Sequence, residues 1–268
     1  MAQTGEIDWQ GALVRARAHA PFLARALDRQ PALEELLSAG EGDRALEWSR
    51  DIGAHEDTGI GLRRHRLALA TSLAIGDLAG AFPLNRVVTE LSEFADYALD
   101  KAIRTAIFER ASEDCSDGMI ALALGKQGAC ELNYSSDIDP ILLYDPARLR
   151  HRAKDEPAEA AQRYARRVVT LLSENTGEGY VARVDLRLRP ASEISPPAVP
   201  VKSAITHYQG QALAWERAAY VRARAAAGDI AAKRTEQFQQ EMLRQRQCLR
   251  QLPLLLHKRH APRPGLAL

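Results

Sequence analysis

The spacing of apolar residues changes near Ser112, and this change constrains the fold more than any other feature of the sequence. From Trp9 to about Arg110 the apolar residues recur at the spacing of amphipathic helices. One run is long enough for an extended helix beginning near Pro83, because proline is tolerated in a first helical turn. The sequence therefore predicts an N-terminal helical region over residues 1–112.

Residues 113–229 show a different pattern, with short apolar runs on either side of a helical one. The segments "IDPILLYD" and "GYVARVDLRLRP" are rich in β-branched or aromatic residues and bounded by glycine, proline and aspartate, which is typical of strands. Between them, "PAEAAQRYARRVVTLLSENTGEG" has helical spacing and is predicted to end at its glycines. Because strand, helix and strand alternate, we predict an α+β fold with a small mixed sheet and packed helices.

Two further segments belong to this second region. The run "GMIALALGK" fits either a short buried helix or a strand. After a proline-bearing loop, "AITHYQGQALAWERAAYVRARAAAGD" is predicted to be helical, which would bring Arg217, Arg222 and Arg224 close to one another.

Charge and cysteine content argue against several classes of function. Lys and Arg together number 36 and Asp and Glu 35, and the net charge of +1 gives no reason to expect broad attraction to nucleic acid or to an anionic membrane. Three separated cysteines without a CxxC pair argue against a disulfide framework and a thiolate zinc site. The N-terminus has no apolar signal segment, and no apolar run approaches the roughly 18 residues that cross a bilayer. We therefore expect a soluble, cytoplasmic protein.

Two aspartates, Asp137 and Asp139, stand at the start of the apolar run "IDPILLYD". Side chains two residues apart on a strand share one face, about 6–7 Å apart, and two carboxylates at that distance repel each other unless a cation lies between them. Hard divalent cations with oxygen ligands are the usual partners. The alternative, a pair of turn or capping aspartates after Ser135 and Ser136, stays open. The surrounding residues fit neither an EF-hand loop nor a P-loop.

A third carboxylate lies in the second predicted strand. Period-two alternation would place it on one face with the arginines around it, in the set Val181, Arg183, Asp185, Arg187 and Arg189. An acid among arginines is more often a salt-bridged surface residue than a metal ligand. Together with Asp-x-Asp and a glycine-bearing turn, however, Asp185 completes the layout of a two-metal nucleotidyl-transfer site.

These motifs resemble one protein family. The runs "GKQGACELNYSSDIDPILLYD", "YVARVDLRLRP" and "AWERAAYVRARAAAGD" are similar, in order and spacing, to the glutamine synthetase adenylyltransferase/adenylyl-removing enzymes, members of the DNA polymerase β-like nucleotidyltransferases. The resemblance extends over about residues 9–229. Enzymes of this family are much longer and carry two nucleotidyltransferase halves, so the resemblance implies that this chain is truncated and contains one half. The wording "ELNYSSDID" is similar to that of the first, adenylyl-removing half.

The resemblance implies a role for each motif residue. Asp137, Asp139 and Asp185 would bind Mg²⁺ and be catalytic. The phosphate-facing turn would consist of Gly125, Lys126, Ser135 and Ser136. Arg187 and Arg189 would hold phosphate or nucleotide, or else form salt bridges with Asp185 or Asp139 on a solvated face. Weaker candidates, for which surface ion pairing is the favoured interpretation, are Glu216, Arg217 and Arg224.

The implied reaction is phosphorolysis: inorganic phosphate removes AMP from an adenylylated tyrosine of glutamine synthetase and ADP is released. Glutamine synthetase and a PII-type regulatory protein are the implied partners, with no nucleic acid and no membrane. Two alternatives stay open. One is adenylylation of the same tyrosine from ATP, and the other is a truncated, inactive binding fragment.

Several positions depart from the family pattern. Ala129 and Cys130 stand where the family usually has glycine and arginine, and Pro140 replaces an apolar residue. Because proline has no amide donor, we expect the strand at Pro140 to be an edge strand or bulged. Residues 230–268 form an atypical basic, proline-bearing tail that we predict to be partly disordered.

Overall fold

Six helices make up the first part of the protein in the computed structural model, which describes residues 6–231 and residue 240. The predicted helical spacing is confirmed there, including the long helix after Pro83. The bounds are α1 (Trp9–His19), α2 (Pro21–Asp28), α3 (Pro31–Ser38), α4 (Gly42–Asp51), α5 (Thr58–Leu78) and α6 (Leu84–Ala111).

Local sequence explains where several of these helices begin. The Asp8 carboxylate accepts a hydrogen bond from the Gly11 amide at 2.7 Å and caps α1, and Asp57 caps α5 in the same way. Helices α2 and α3 start with Pro21 and Pro31, at the first helical position where a missing amide hydrogen costs nothing.

The second part of the protein combines a small mixed sheet with further helices, which confirms the predicted α+β class. The strand order is β3-β2-β1-β4; β1 is antiparallel to both β2 and β4, whereas β2 and β3 are parallel. The elements are β1 (Met119–Ala123), α7 (Gly125–Gly128), β2 (Pro140–Tyr144), α8 (Pro157–Ser173), β3 (Ala198–Pro200), α9 (Val201–Thr206), a π-helical turn (His207–Gln211), α10 (Ala214–Ala219), a 3₁₀ turn (Tyr220–Arg222) and β4 (Arg224–Gly228).

The sheet is covered on both faces, so β1 and β2 are buried along their whole length. Ala121 and Leu142 belong to a core shared with α5, α6 and α8. Ile120 and Leu143 belong to a second core with α9 and the aromatic pair Tyr208–Tyr220. Continuous apolar runs are typical of strands covered in this way. The first core therefore joins the helical region to the sheet.

The predicted strand over "GYVARVDLRLRP" is wrong except at one residue. Val184 forms a single parallel bridge with Ile138, and the chain then turns, with the Arg189 amide donating to the Leu186 carbonyl. The reason is the Arg189 guanidinium, which donates to backbone carbonyls of the following loop and holds it in place. The period-two face shared by Arg187 and Arg189 therefore does not exist.

The helix predicted near the end of the second region is also partly wrong. Residues 201–222 form short helical pieces, but Arg224–Gly228 is strand β4, paired with β1. Alanine-rich sequence favours a helix locally, but the free edge of β1 supplies hydrogen bonds that a helix there would leave unused. Helix α8 likewise ends at Ser173, before the predicted glycines.

Pro140 lies in an inner strand of the sheet, not in an edge strand. It is the first residue of β2 and pairs with Ala123 of β1. On the other side β3 pairs only with Leu142 to Tyr144, so the missing amide of Pro140 faces no β3 partner. This is one of the positions in a sheet where proline is tolerated.

Within the described residues, no helix combines the length and apolar character needed to cross a membrane. The predicted tail over residues 230–268 lies outside the described part of the chain, apart from residues 230, 231 and 240.

A buried histidine sits between α5 and α6. His65 packs edge-on against Phe94 and Tyr97, with ring centroids 4.7 Å and 5.7 Å apart, and only 8% of it is exposed. Burial, and secondarily the charge of Arg50, lowers the pKa of His65 to about 4. The folded protein therefore holds this imidazole neutral.

We expect His65 to make stability depend on pH. The unfolded chain binds a proton at His65 near pH 6.5, whereas the folded chain binds it only near pH 4. Stability contributed by the neutral ring is complete above about pH 6.5 and falls by up to about 3 kcal/mol as the pH drops towards 4. Urea unfolding from pH 7.5 to 4.5 should show a shallower decline for His65→Phe than for the wild type. The same substitution at exposed His55 is the control, and parallel profiles for all three proteins would contradict the expectation.

Candidate active site

A single parallel bridge brings the carboxylates together. The Ile138 amide donates to the Arg183 carbonyl, and the Asp185 amide donates to the Ile138 carbonyl, both at 2.9 Å. Ile138 points into the first core, so the residues on either side of it, Asp137 and Asp139, point the other way. The same alternation about Val184 directs Asp185 towards them.

Asp139 is at the centre of this group and is half-buried. Burial raises the pKa of its carboxyl group, and the charges of Asp185 and Asp137 raise it further. The glycine turn predicted next to the carboxylates is α7: Gly125 has φ +55°, and a Cβ built on it would lie 2.6 Å from the Asp139 Oδ2 atom. Only glycine lets the backbone approach the carboxylate this closely.

Arginines engage the two outer carboxylates. Arg183 donates from Nε to the Asp137 Oδ1 atom, and Arg187 donates from Nε to the Asp185 Oδ2 atom at 2.8 Å. The Arg187 side chain and amide lower the pKa of Asp185 by hydrogen bonding to its carboxylate. The salt-bridge interpretation is therefore observed for Arg187, whose side chain is 86% exposed.

The predicted magnesium ligands match the chemistry of the metal but are not assembled around it. Three carboxylates supply the oxygen ligands that Mg²⁺ prefers, and burial first, then the charges of Asp185 and Asp137, raise the pKa of Asp139. Yet no group of three His, Cys, Asp or Glu side chains in the described residues is arranged to hold a metal ion. The physical reason is that Asp137 and Asp185 are held by arginines.

The other predicted turn residues are Lys126 on α7 and the two serines that precede Asp137 in the chain. Asn133 organises the segment before Asp137: its Oδ1 atom accepts from the Ser136 hydroxyl at 2.9 Å and from the Ser135 amide at 3.2 Å. The Ser136 hydroxyl is therefore engaged within its own turn. Lys126 is exposed on α7.

Arg189 does not contact the predicted acids. Its guanidinium donates to the carbonyls of Leu186, Ser192, Ser195 and Pro196, although its side chain still lines the cleft described below. Neither prediction for Arg189, a phosphate ligand or a salt bridge to Asp185 or Asp139, matches these bonds. Its observed role is to shape the loop at the rim of the site.

The three weaker candidates have separate roles, and surface ion pairing is wrong for Glu216. Only 4% of Glu216 is exposed, and its carboxylate accepts from the Leu213 amide at 2.7 Å and contacts the His207 Nε2 atom at 2.9 Å. The Arg217 Nε atom donates to the Ala212 carbonyl. Arg224 forms a partly buried ion pair with Asp96 of α6.

A hydrogen-bond network around Asp96, which joins it to Gln127 and Arg224, was not predicted from the sequence. Asp96 accepts from both Arg224 and the buried Gln127 side chain, and Arg224 also donates to the Gln127 carbonyl. These bonds fix the α7 turn to α6 and β4. No local pattern could reveal them, because Asp96 and Arg224 are 128 residues apart.

A cleft of about 600 Å³ opens over the carboxylates. Asp139 and Asp185 line it together with Arg187, Arg189 and Glu193, and Leu188 and Trp215 provide apolar surface. Trp215 was not predicted as a site residue, although it lies in the run "AWERAAYVRARAAAGD" that carries part of the family resemblance. The arrangement places negative charge, cations and an aromatic surface around one space, which suits a phosphorylated ligand that also carries a ring.

Comparison with known proteins decides the family. The sequence model of the family described as "Glutamate-ammonia ligase adenylyltransferase" matches residues 10–241. This chain belongs to that family. The matched residues include the three carboxylates, the α7 turn and the Trp215 wall of the cleft. The resemblance predicted from the motifs is confirmed.

Three relatives that are similar to this chain are much longer than it is. The bifunctional glutamine synthetase adenylyltransferase/adenylyl-removing enzyme of Caulobacter vibrioides is 36% identical over 247 residues, covering 85% of this chain and 25% of the relative. Proteins with the same description from Rhizobium meliloti and Xanthobacter autotrophicus are 35% and 37% identical, over 86% and 68% of this chain and 26% and 20% of their own lengths. The chain spans about a quarter of the length of the first two.

The two departures from the family pattern after Gly128 differ in their consequences. Ala129 has φ −86°, which alanine adopts without strain, so alanine in place of glycine has no backbone cost here. Cys130 has φ +58°, in the left-handed region. A non-glycine residue there costs about 1–2 kcal/mol, so strain falls on the cysteine and not on the alanine.

Proposed function

We propose that this chain carries a nucleotidyltransferase site that removes AMP from an adenylylated tyrosine of glutamine synthetase by phosphorolysis. The observation that carries the proposal is the Ile138–Val184 bridge, which gathers Asp137, Asp139 and Asp185 beside the α7 turn. The relatives are described as both adenylyltransferase and adenylyl-removing enzymes. The similarity of "ELNYSSDID" to the first half of such enzymes favours removal.

In the proposed reaction, an oxygen of inorganic phosphate attacks the phosphorus of the AMP group. The bond from this phosphorus to the tyrosine oxygen breaks, the tyrosine takes up a proton, and ADP leaves. Gly125 lets the backbone reach Asp139, and Lys126 and Ser135 would contact phosphate oxygens. Arg187, highly exposed beside the cleft, is suited to the incoming phosphate once it leaves Asp185.

Asp137, Asp139 and Asp185 would hold Mg²⁺, which when bound neutralises charge on the phosphoryl oxygens. Arg183 and Arg187 must then release the outer carboxylates. Wild-type protein should give a magnesium-dependent calorimetric signal that is lost on combining Asp137→Ala with Asp139→Ala. A wild type without any such signal would contradict metal-assisted chemistry at this site.

Glutamine synthetase is the proposed substrate protein, and a PII-type protein is the proposed regulator, in the cytoplasm. The descriptions of the relatives name glutamine synthetase, and the PII-type regulator is proposed from the resemblance of the motifs. The chain spans about a quarter of its relatives' length, so the activity of this chain by itself is part of the proposal.

The test uses glutamine synthetase that carries labelled AMP. We expect labelled ADP to appear only when the chain, Mg²⁺ and inorganic phosphate are all present, because phosphate supplies the attacking oxygen. Replacing phosphate by sulfate is the control. Transfer of label from ATP to unmodified glutamine synthetase, without phosphate-dependent release, would show the opposite direction of reaction. Binding without either reaction would show an inactive fragment.

A further inference from the structure

We propose that Trp215 is the surface on which the adenine base of the nucleotide stacks, so that the cleft contains a base subsite as well as a phosphate subsite. This inference rests on the proposed function, because it assigns a further part of the same ligand. It gives Trp215 a role in binding and not in the chemical step.

Trp215 and Leu188 contribute the apolar part of the cleft lining, and Leu188 also packs against the second core. Charged side chains line the same space: Asp139, Asp185, Arg187, Arg189 and Glu193. A nucleotide has this division of character, with a flat apolar base joined to a charged phosphate. A cleft of about 600 Å³ also lies within the range of about 300–1,000 Å³ that is usual for small-molecule sites.

The indole is presented to the cleft and not packed away. Half of Trp215 is exposed, whereas the nearby tyrosines Tyr208 and Tyr220 are buried in the second core. Burying an aromatic side chain of this size is strongly favourable, so a half-exposed tryptophan on a cleft wall offers a free face to a planar ligand.

The short helix that carries Trp215 is anchored from below. Glu216, the next residue, is buried, and its carboxylate accepts a hydrogen bond from the Leu213 amide at the start of α10. The same carboxylate contacts the His207 Nε2 atom, and His207 begins a π-helical turn. A platform that must hold a ring in one orientation needs support of this kind.

Stacking on an aromatic ring depends on the presence of a base and hardly on its identity, because every base has a π face. The contact should therefore strengthen binding of ADP and GDP to similar degrees. It should contribute nothing to ribose 5-phosphate, which carries the sugar and phosphate without a base.

The alternative is that Trp215 contacts another protein surface. Leu213 and Val221, which flank α10 in the sequence, are also exposed apolar residues, at 59% and 50%. A protein contact there would leave nucleotide affinity unchanged when Trp215 is replaced, so the same measurements separate the two possibilities.

The experiment measures binding of ADP, GDP and ribose 5-phosphate by calorimetry to the wild type, Trp215→Phe and Trp215→Ala. We expect Trp215→Ala to weaken both nucleotides by about 5- to 150-fold, Trp215→Phe to keep most of the affinity, and ribose 5-phosphate to bind all three proteins alike. Phe108→Ala, which removes a similarly exposed ring from α6, is the matched control and should bind like the wild type.

Fluorescence gives a readout that does not depend on the stability of Trp215→Ala. ADP should quench the part of the tryptophan emission that is absent from Trp215→Phe, and ribose 5-phosphate should not. Unchanged ADP affinity in Trp215→Ala, or no quenching of that emission by bound ADP, would overturn the base subsite. If phosphate-dependent AMP release continues in that case, the proposed function stands; if the wild type neither binds ADP nor releases it, both fail.

Discussion

Asp139→Asn should reduce phosphate-dependent AMP release by more than about 100-fold, because the charge of a metal-binding carboxylate supports several kcal/mol of transition-state stabilisation. The same substitution should leave the free energy of unfolding unchanged or slightly higher. Asp139 is half-buried beside two other acids that raise its pKa, so a neutral side chain of the same shape removes repulsion. Initial rates of ADP release and urea unfolding measure the two effects.

The combination of the two effects distinguishes a functional carboxylate from a structural one. Asp43→Asn is the control, since Asp43 is an exposed acid paired with Arg86 in the helical region; it should leave AMP release unchanged. A loss of stability of more than about 1 kcal/mol in Asp139→Asn would identify Asp139 as a structural residue. Full activity in that variant would remove the carboxylate from the proposed reaction.

Gly128→Ala should destabilise the protein by about 2–4 kcal/mol, an overpacking effect at the severe end of the usual range. A Cβ on Gly128 would lie 2.1 Å from the Arg222 carbonyl oxygen and 2.7 Å from that of Ala123. Both contacts are with backbone, so the α7 turn must move away from β1 and from the segment that leads into β4. Urea unfolding measures the loss.

Gly177 is the control for Gly128, because it is a glycine where an added Cβ meets no other atom. Gly177 has no atom within 4 Å of an added Cβ and no positive φ, so Gly177→Ala should change stability by no more than about 0.5 kcal/mol. Because α7 carries Gly125 next to Asp139, Gly128→Ala should also weaken ADP binding in the fraction that remains folded. Equal stability for the two variants would mean that α7 tolerates displacement.

Long periodic segments and compact motifs were predictable from the sequence. The helical spacing before Ser112, the single helix of α6 and the strand after Asp139 are all observed. In these segments local preference and burial favour the same structure, so a pattern in the sequence is sufficient. The glycine turn beside the carboxylates was predicted for the same reason, since its residues are neighbours in the chain.

Prediction failed where side-chain hydrogen bonds or a distant strand override the local backbone preference. The segment around Asp185 alternates like a strand, but Arg189 donates to carbonyls of its own loop and ends the pairing after one bridge. The alanine-rich run at β4 would be helical in isolation, but it pairs with the edge of β1. The deciding hydrogen bonds come from a side chain of the same loop in the first case and from a strand distant in the sequence in the second.

Motif order and apolar spacing are local properties of the chain, and they were sufficient to predict the family and the α+β class and to single out three carboxylates. The contacts of each charged side chain became known from the fold. Arg183 and Arg187 hold the outer carboxylates, Asp96 and Arg224 fix the α7 turn, and Trp215 faces the cleft. The contacts of Arg183 with Asp137 and of Arg224 with Asp96 join residues far apart in the chain, so they depend on distances that core packing sets and residue order does not record.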